Sequence, residues 1–150
     1  MTTRRSPEQS LIDLFVEHLR KSTDPRISIK SLLNKNCRSK KLSDVEYISQ
    51  DGTHWVIEAK SDDSGDKHNT VHKIFGELLK ETGRDKRHNN RYSVLIPEAS
   101  VAFYSRAFQA IHRDKFLAFG ALIPVDSVFL CGSDGIRTIS WADLYESHKV

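Results

Sequence analysis

Apolar positions along the chain fall into segments with two different periods. After Ser6-Pro7-Glu8-Gln9, residues Leu11, Leu14, Phe15 and Leu19 recur at helical spacing, and the stripe closes near Ser22, ahead of Asp24-Pro25. Ser6 is the expected N-cap, Pro7 suits the first helical position, and Gln9 completes a capping box. Val45–Ile48 and His54–Lys60 are β-branched and aromatic runs on either side of Gln50-Asp51-Gly52-Thr53. Asp-Gly between such runs predicts a hairpin. A polar loop from Ser61 to Lys67 leads to a second helix, where Val71, Ile74, Phe75, Leu78 and Leu79 fall at i, i+3, i+4, i+7 and i+8 and Gly83 stands at the C-cap. Tyr92–Ile96 reads as a buried strand stopped by Pro97. A third helix from about Ser100 uses Val101, Tyr104, Phe108 and Ile111. Ser127–Cys131 and Ile136–Ile139 predict strands around Gly132-Ser133-Asp134-Gly135, and Ser140-Trp141-Ala142-Asp143 opens a short terminal helix as a second capping box. Residues 26–41 are ambiguous: Ile27, Ile29 and Leu33 alternate like a strand, while Ser31-Leu32-Leu33 fits a helical turn. With no repeat or linker, residues 1–150 read as a single α/β domain with a central mixed sheet flanked by helices.

Composition narrows the classes. A chain of 150 residues with 38 % hydrophobic and 29 % charged residues can fill one core. No apolar run approaches the roughly 20 residues of a membrane span, and Met1-Thr2-Thr3-Arg4-Arg5 leads into a helix signal instead of a leader peptide. Cys37 and Cys131, far apart, exclude a zinc ribbon or a disulfide framework and suggest an intracellular (cytoplasmic) setting. The net charge of +3 hides two unlike parts. From Leu42 to Asp66 there are seven acids and one base, a local −6, which leaves +9 for the remainder. An acidic segment suited to a cation therefore sits in a chain basic enough to attract phosphate.

The hairpin carries the candidate chemistry. Successive strand side chains point to opposite faces, so Val56, Glu58 and Lys60 share one face, and Asp44 and Glu46 share a face of the first strand. If these faces coincide, one of those acids stands beside Glu58 with Lys60 adjacent. Two carboxylates on rigid strands suit a hard divalent cation such as Mg²⁺, with coordination positions left for water and a substrate phosphate. A neighbouring ammonium can orient a water and stabilise developing charge.

Ser43-Asp44, thirteen residues, then Glu58-Ala59-Lys60 resembles the motif of the PD-(D/E)XK nuclease superfamily, the restriction-endonuclease-like fold. The resemblance covers roughly Pro7 to Pro97 and implies a core of α-β-β-β-α-β order. It also implies a nuclease that hydrolyses phosphodiester bonds in DNA with Mg²⁺, or Mn²⁺ as a substitute. Asp44 and Glu58 would be metal ligands, the Ala59 backbone carbonyl a third, and Lys60 the group that positions the attacking water. Ser43 replaces the proline of the motif, and Glu46 is the second choice for the first acid. By the same resemblance Glu17 is the candidate for an extra acid on the first helix and Lys73 for a polar group on the second. Glu77, one turn beyond Lys73, fits an i, i+4 pair with it. Cutting both strands would call for a homodimer or a larger nucleoprotein complex.

Basic residues flank the hairpin in sequence: Lys35, Arg38, Lys40 and Lys41 before it, and Arg84, Lys86, Arg87 and Arg91 after the second helix. They are candidates for phosphate contacts. His68 and His72 stand at i, i+4, but no glutamate follows His68 and no third zinc ligand is evident. The alternative from another class is a nuclease-like fold that binds nucleic acid or a protein partner without cutting.

Overall fold

The computed structural model describes residues 6–38, 42–61, 67–83 and 90–149, leaving out the side chains of 67–71 and 149. The described residues run α1 (Pro7–Lys21), β1 (Ile29–Asn34), β2 (Val45–Ser49), β3 (His54–Ala59), α2 (Lys67–Glu81), β4 (Asn90–Pro97), α3 (Val101–Phe108), α4 (Arg113–Leu122), β5 (Val125–Gly132), β6 (Gly135–Ile139) and α5 (Trp141–Glu146). They form one six-stranded mixed sheet in simple chain order, β1-β2-β3-β4-β5-β6. β3, β4 and β5 are parallel, with α2 and the α3–α4 pair as crossovers, and the outer pairings are antiparallel. None of the described helices is long and apolar enough to cross a membrane.

The sheet carries a core on each face. α1 brings Leu11, Ile12, Phe15, Val16 and Leu19 against Val45, Tyr47, Trp55, Ile57, Ala59, Leu95 and Phe129. On the other face α2 to α5 cover Val56, Tyr92, Val94, Ile96, Val128 and Leu130. Alternating strand residues thus serve two cores, and β3 and β4 are buried on both sides.

Several expectations are met and several are corrected. Ser6 caps α1 by accepting the Gln9 N–H at 3.1 Å. The Gln9 side chain does not close the capping box, however. It reaches across to residues 35–37, donating to the Lys35 carbonyl at 2.8 Å and accepting from the Cys37 N–H at 3.1 Å. The ambiguous segment resolves as an edge strand, β1, with Leu33 turned to solvent. Leu79 is also exposed, so the core stripe of α2 is narrower than its sequence suggests. Gly83 lacks the positive φ of a C-cap glycine, which among the described residues Gly52 and Gly135 alone adopt, in the two hairpin turns.

The third helix is shorter than its pattern suggests, and a further helix follows it. α3 ends at Phe108 and α4, absent from the pattern reading, follows after four residues. Its apolar face is built on two aromatics, Phe116 and Phe119, and on an absence of side chain at Gly120. Phe116 stacks on Trp141 at 4.3 Å with planes 6° apart, and the indole N–H donates to the Phe116 carbonyl at 2.7 Å. A Cβ at Gly120 would stand 2.2 Å from Trp141 Cδ1. Because the indole is held by this stacking and hydrogen bond and sits among Phe75, Phe108 and Phe119, it cannot step away cheaply. Gly120→Ala should therefore lower stability by about 2 kcal/mol despite the better helix propensity of alanine. Chemical denaturation would check this, and an unchanged or higher midpoint would contradict the packing.

Candidate metal centre

The hairpin register decides which acids meet. Val45 pairs with Ile57 and Glu46 with Val56, so continuing the ladder by one residue sets Asp44 opposite Glu58. Asp44 lies just before β2 begins, and its carboxylate takes over the ladder: Oδ2 accepts the Ala59 N–H at 2.9 Å. In the parallel pairing with β4, Lys60 N–H donates to the Leu95 carbonyl at 2.9 Å, so the amide and carbonyl of Ala59 face the β2 side, toward Asp44. The Ala59 carbonyl is thus on the side its proposed ligand role needs.

Glu77, from α2, completes the cluster. Ligand oxygens of Asp44, Glu58 and Glu77 lie within 4.8 Å of one another. Lys60, 6 % exposed, forms a bidentate pair with Glu77, at 2.9 and 2.7 Å to its two carboxylate oxygens. Burial depresses the Lys60 ammonium, but the hydrogen bond and charge of Glu77 outweigh it and hold the pKa above the ordinary lysine value. Lys60 is a charged donor here.

The two strand acids behave differently. Burial pushes Asp44 up to about 6, against the opposing pull of the Ala59 N–H and of Glu58. Burial, reinforced by the charges of Asp44 and Glu77, pushes Glu58 further up, to about 10. The neutral Glu58 carboxyl hydrogen-bonds the Asp44 carboxylate, so the pair shares a proton near neutral pH. A divalent cation is the other way to neutralise such a pair. Three carboxylates in reach of one point form a hard-oxygen donor set that suits Mg²⁺ or Mn²⁺ and suits zinc poorly.

The remaining candidates are placed elsewhere. Glu46 is not a fourth member of the cluster. Its Oε2 accepts from His54 Nε2 at 2.9 Å and its Oε1 from Ser43, in a buried network one step up the strand. Glu17 is exposed on α1 and pairs with Lys21 at 3.3 Å. The α1 acid whose charge reaches Lys60 is Glu8, in the first turn. Lys73 is exposed, and Glu77 pairs with Lys60 in place of the expected i, i+4 contact with Lys73. Lys35 and Arg38 are exposed on the segment that Gln9 ties to the start of α1. Arg91 stands beside Trp55, three residues or about 10 Å back along the strand from the level of Glu58. It pairs with Asp126 at 2.7 Å, facing a separate polar cleft. Lys40, Lys41, Arg84, Lys86 and Arg87 lie outside the described residues, as does the side chain of His68; His72 is exposed.

Sequence pattern assigns Glu77 only to a pair with Lys73 and misses its place in the cluster, and it does not single out Glu8, whose charge reaches Lys60. One signal was available for Glu77: it follows Ile74 by three residues and precedes Leu78, so it flanks the buried stripe of α2. Glu8 gave none, since its place depends on how α1 crosses the sheet.

No protein-family model, curated protein or solved structure matches the chain. The chemistry of this centre therefore rests on its own residues.

Raised carboxyl values make stability depend on pH. Folding holds protons that the unfolded chain releases above the ordinary carboxylate range, near 4, so stability is full below that range and is lost as pH rises through the folded values. In EDTA the melting temperature should fall by at least about 5 °C between pH 5 and pH 9. Mn²⁺ should restore it, most at the alkaline end. Asp44→Asn and Glu58→Gln should flatten the slope. A melting temperature independent of pH and of Mn²⁺ would contradict the shared proton and the cation site alike.

Proposed function

We propose that this chain is a divalent-cation-dependent nuclease of the PD-(D/E)XK, restriction-endonuclease-like type that hydrolyses phosphodiester bonds in DNA. The observation that carries the proposal is the cross-strand opposition of Asp44 and Glu58 with the buried Lys60 ammonium beside them. The order α1-β1-β2-β3-α2-β4 supports it, being the α-β-β-β-α-β order expected of that fold.

Asp44, Glu58 and the Ala59 carbonyl would hold Mg²⁺, with Glu77 as a further oxygen donor on the solvent side. When bound, the cation supplies charge neutralisation at the scissile phosphate and acidifies a coordinated water. The chain's own groups do the rest. Asp44 and Glu58 would release the proton they share to solvent when the cation binds. Lys60, held charged by Glu77, offers N–H donors to a water or to a phosphate oxygen as negative charge grows there. Lys35 and Arg38, with Arg84, Lys86 and Arg87 after the second helix in sequence, would supply phosphate contacts that hold the duplex without reading bases. One such centre nicks a single strand, so cutting both strands calls for a homodimer or a larger nucleoprotein complex.

Plasmid, branched and single-stranded DNA incubated with Mg²⁺ or Mn²⁺ test the proposal. The expected result is cleavage that is lost in EDTA and rises from acid to neutral pH. Lys60→Ala should reduce it about a hundredfold or more, and Glu77→Gln by less. If wild type leaves every substrate intact while still shifting DNA on a gel, the chain is a binding module and the nuclease assignment is wrong.

A further inference from the structure

The dipeptide that carries the first acid is gripped from two sides by side chains that the chemistry above does not use. Ser43 is 1 % exposed and Glu46 and His54 are each 2 % exposed, so all three are sealed beneath the hairpin. Glu46 Oε1 accepts the Ser43 N–H at 3.2 Å and shares the Ser43 hydroxyl, at 3.1 Å, with the Val45 carbonyl at 2.9 Å. On its other oxygen Glu46 accepts from His54 Nε2 at 2.9 Å. His54 Nδ1 in turn meets the Asn90 amide oxygen at 2.7 Å, which ties the group to β4. From the edge strand, Asn34 Nδ2 donates to the Ser43 carbonyl at 2.6 Å, with the Asp44 carbonyl at 3.5 Å.

A buried acid paired with a buried histidine is costly to assemble, because both side chains are taken out of water. Hydrophobic residues at these positions would close the hairpin without that cost. What the polar group supplies instead is direction. It uses both backbone polar groups of Ser43, including the N–H that a proline at this position would lack. We propose that Ser43, Glu46, His54 and Asn34 are positioning residues that fix the Ser43-Asp44 backbone and so aim the Asp44 carboxylate at Ala59 and the metal position. This rests on the metal centre proposed above, but the aim of Asp44 can be read without a cation.

The test uses the ¹⁵N-labelled full chain and the variants Glu46→Ala, Glu46→Gln and Asn34→Ala, with two measurements. The Ala59 amide resonance and its hydrogen exchange report the Asp44–Ala59 bond in EDTA. Mn²⁺ titration followed by electron paramagnetic resonance reports affinity. Glu46→Ala should shift the Ala59 amide upfield, speed its exchange, and weaken Mn²⁺ binding tenfold or more, the range expected when an outer-sphere support is lost. Glu46→Gln should come back to within about threefold of wild type, since its carbonyl still accepts from Ser43 and its amide can meet a neutral His54. Asn34→Ala, on the half-buried end of the edge strand, should move both readouts in the same direction by less. If Glu46→Ala fails to fold, Asn34→Ala decides. A folded Glu46→Ala or Asn34→Ala with the wild-type Ala59 amide overturns the positioning role, even if Mn²⁺ binds. A wild type that binds no Mn²⁺, with the amide shift still seen in the variants, overturns the metal centre and leaves the positioning role standing.

Discussion

The antiparallel register of β2 and β3 is the constraint on which the polar end of the sheet depends. Tyr47 and Trp55 face each other across the two strands and, with Val45 and Ile57, enter the core beneath α1. A slip of one residue would turn that whole set toward the other face. The apolar side of the hairpin therefore fixes the pairing, and the pairing brings Asp44 and Glu58 together whether or not they attract. They do not. Two carboxylates forced side by side out of water repel each other and lose hydration, and they answer by keeping a proton between them. An arrangement in which hydrophobic packing compels an electrostatic cost is what a cation-binding centre needs, because the cation relieves a strain that is already present.

Around that point the buried polar side chains find partners locally. Lys60 is satisfied by Glu77 from the neighbouring helix, and Glu46 by His54 from the next strand. The two pairs are separate in function. The Lys60–Glu77 pair lies at the solvent end, where Glu77 is a third exposed and the ammonium can reach a ligand. The Glu46–His54 pair is sealed, and its effect is confined to the backbone it holds. One buried pair thus joins the hairpin to α2 at its open end, and the other holds the hairpin's own backbone.

Much of this was legible in the sequence because two signals are local. The Asp-Gly turn at 51–52 fixes the hairpin, and period-two alternation then places Asp44, Glu58 and Lys60 on one face. Alternation alone could not choose between Asp44 and Glu46, which share that face; the choice needed the register and the identity of the residue across from each. It also could not reveal Glu77, whose partner Lys60 is 17 residues away and on another element. Gln9 failed as a capping-box residue for a related reason, since its side chain found better partners in residues 35–37 than in its own helix end. α4 left a trace at Phe116, Phe119 and Ile123, spaced i, i+3 and i+7, but the stripe is broken at Gly120, whose missing side chain makes room for Trp141 from a distant segment.

Crystals of the full chain grown with Mn²⁺ and measured at the manganese absorption edge give the most direct test of the central claim. An anomalous peak within coordination distance of Asp44 and Glu58, with the Ala59 carbonyl or Glu77 as a further ligand, is the predicted result. A well-ordered hairpin with no peak at that position at millimolar Mn²⁺, and with Glu58 still hydrogen-bonded to Asp44, would contradict it.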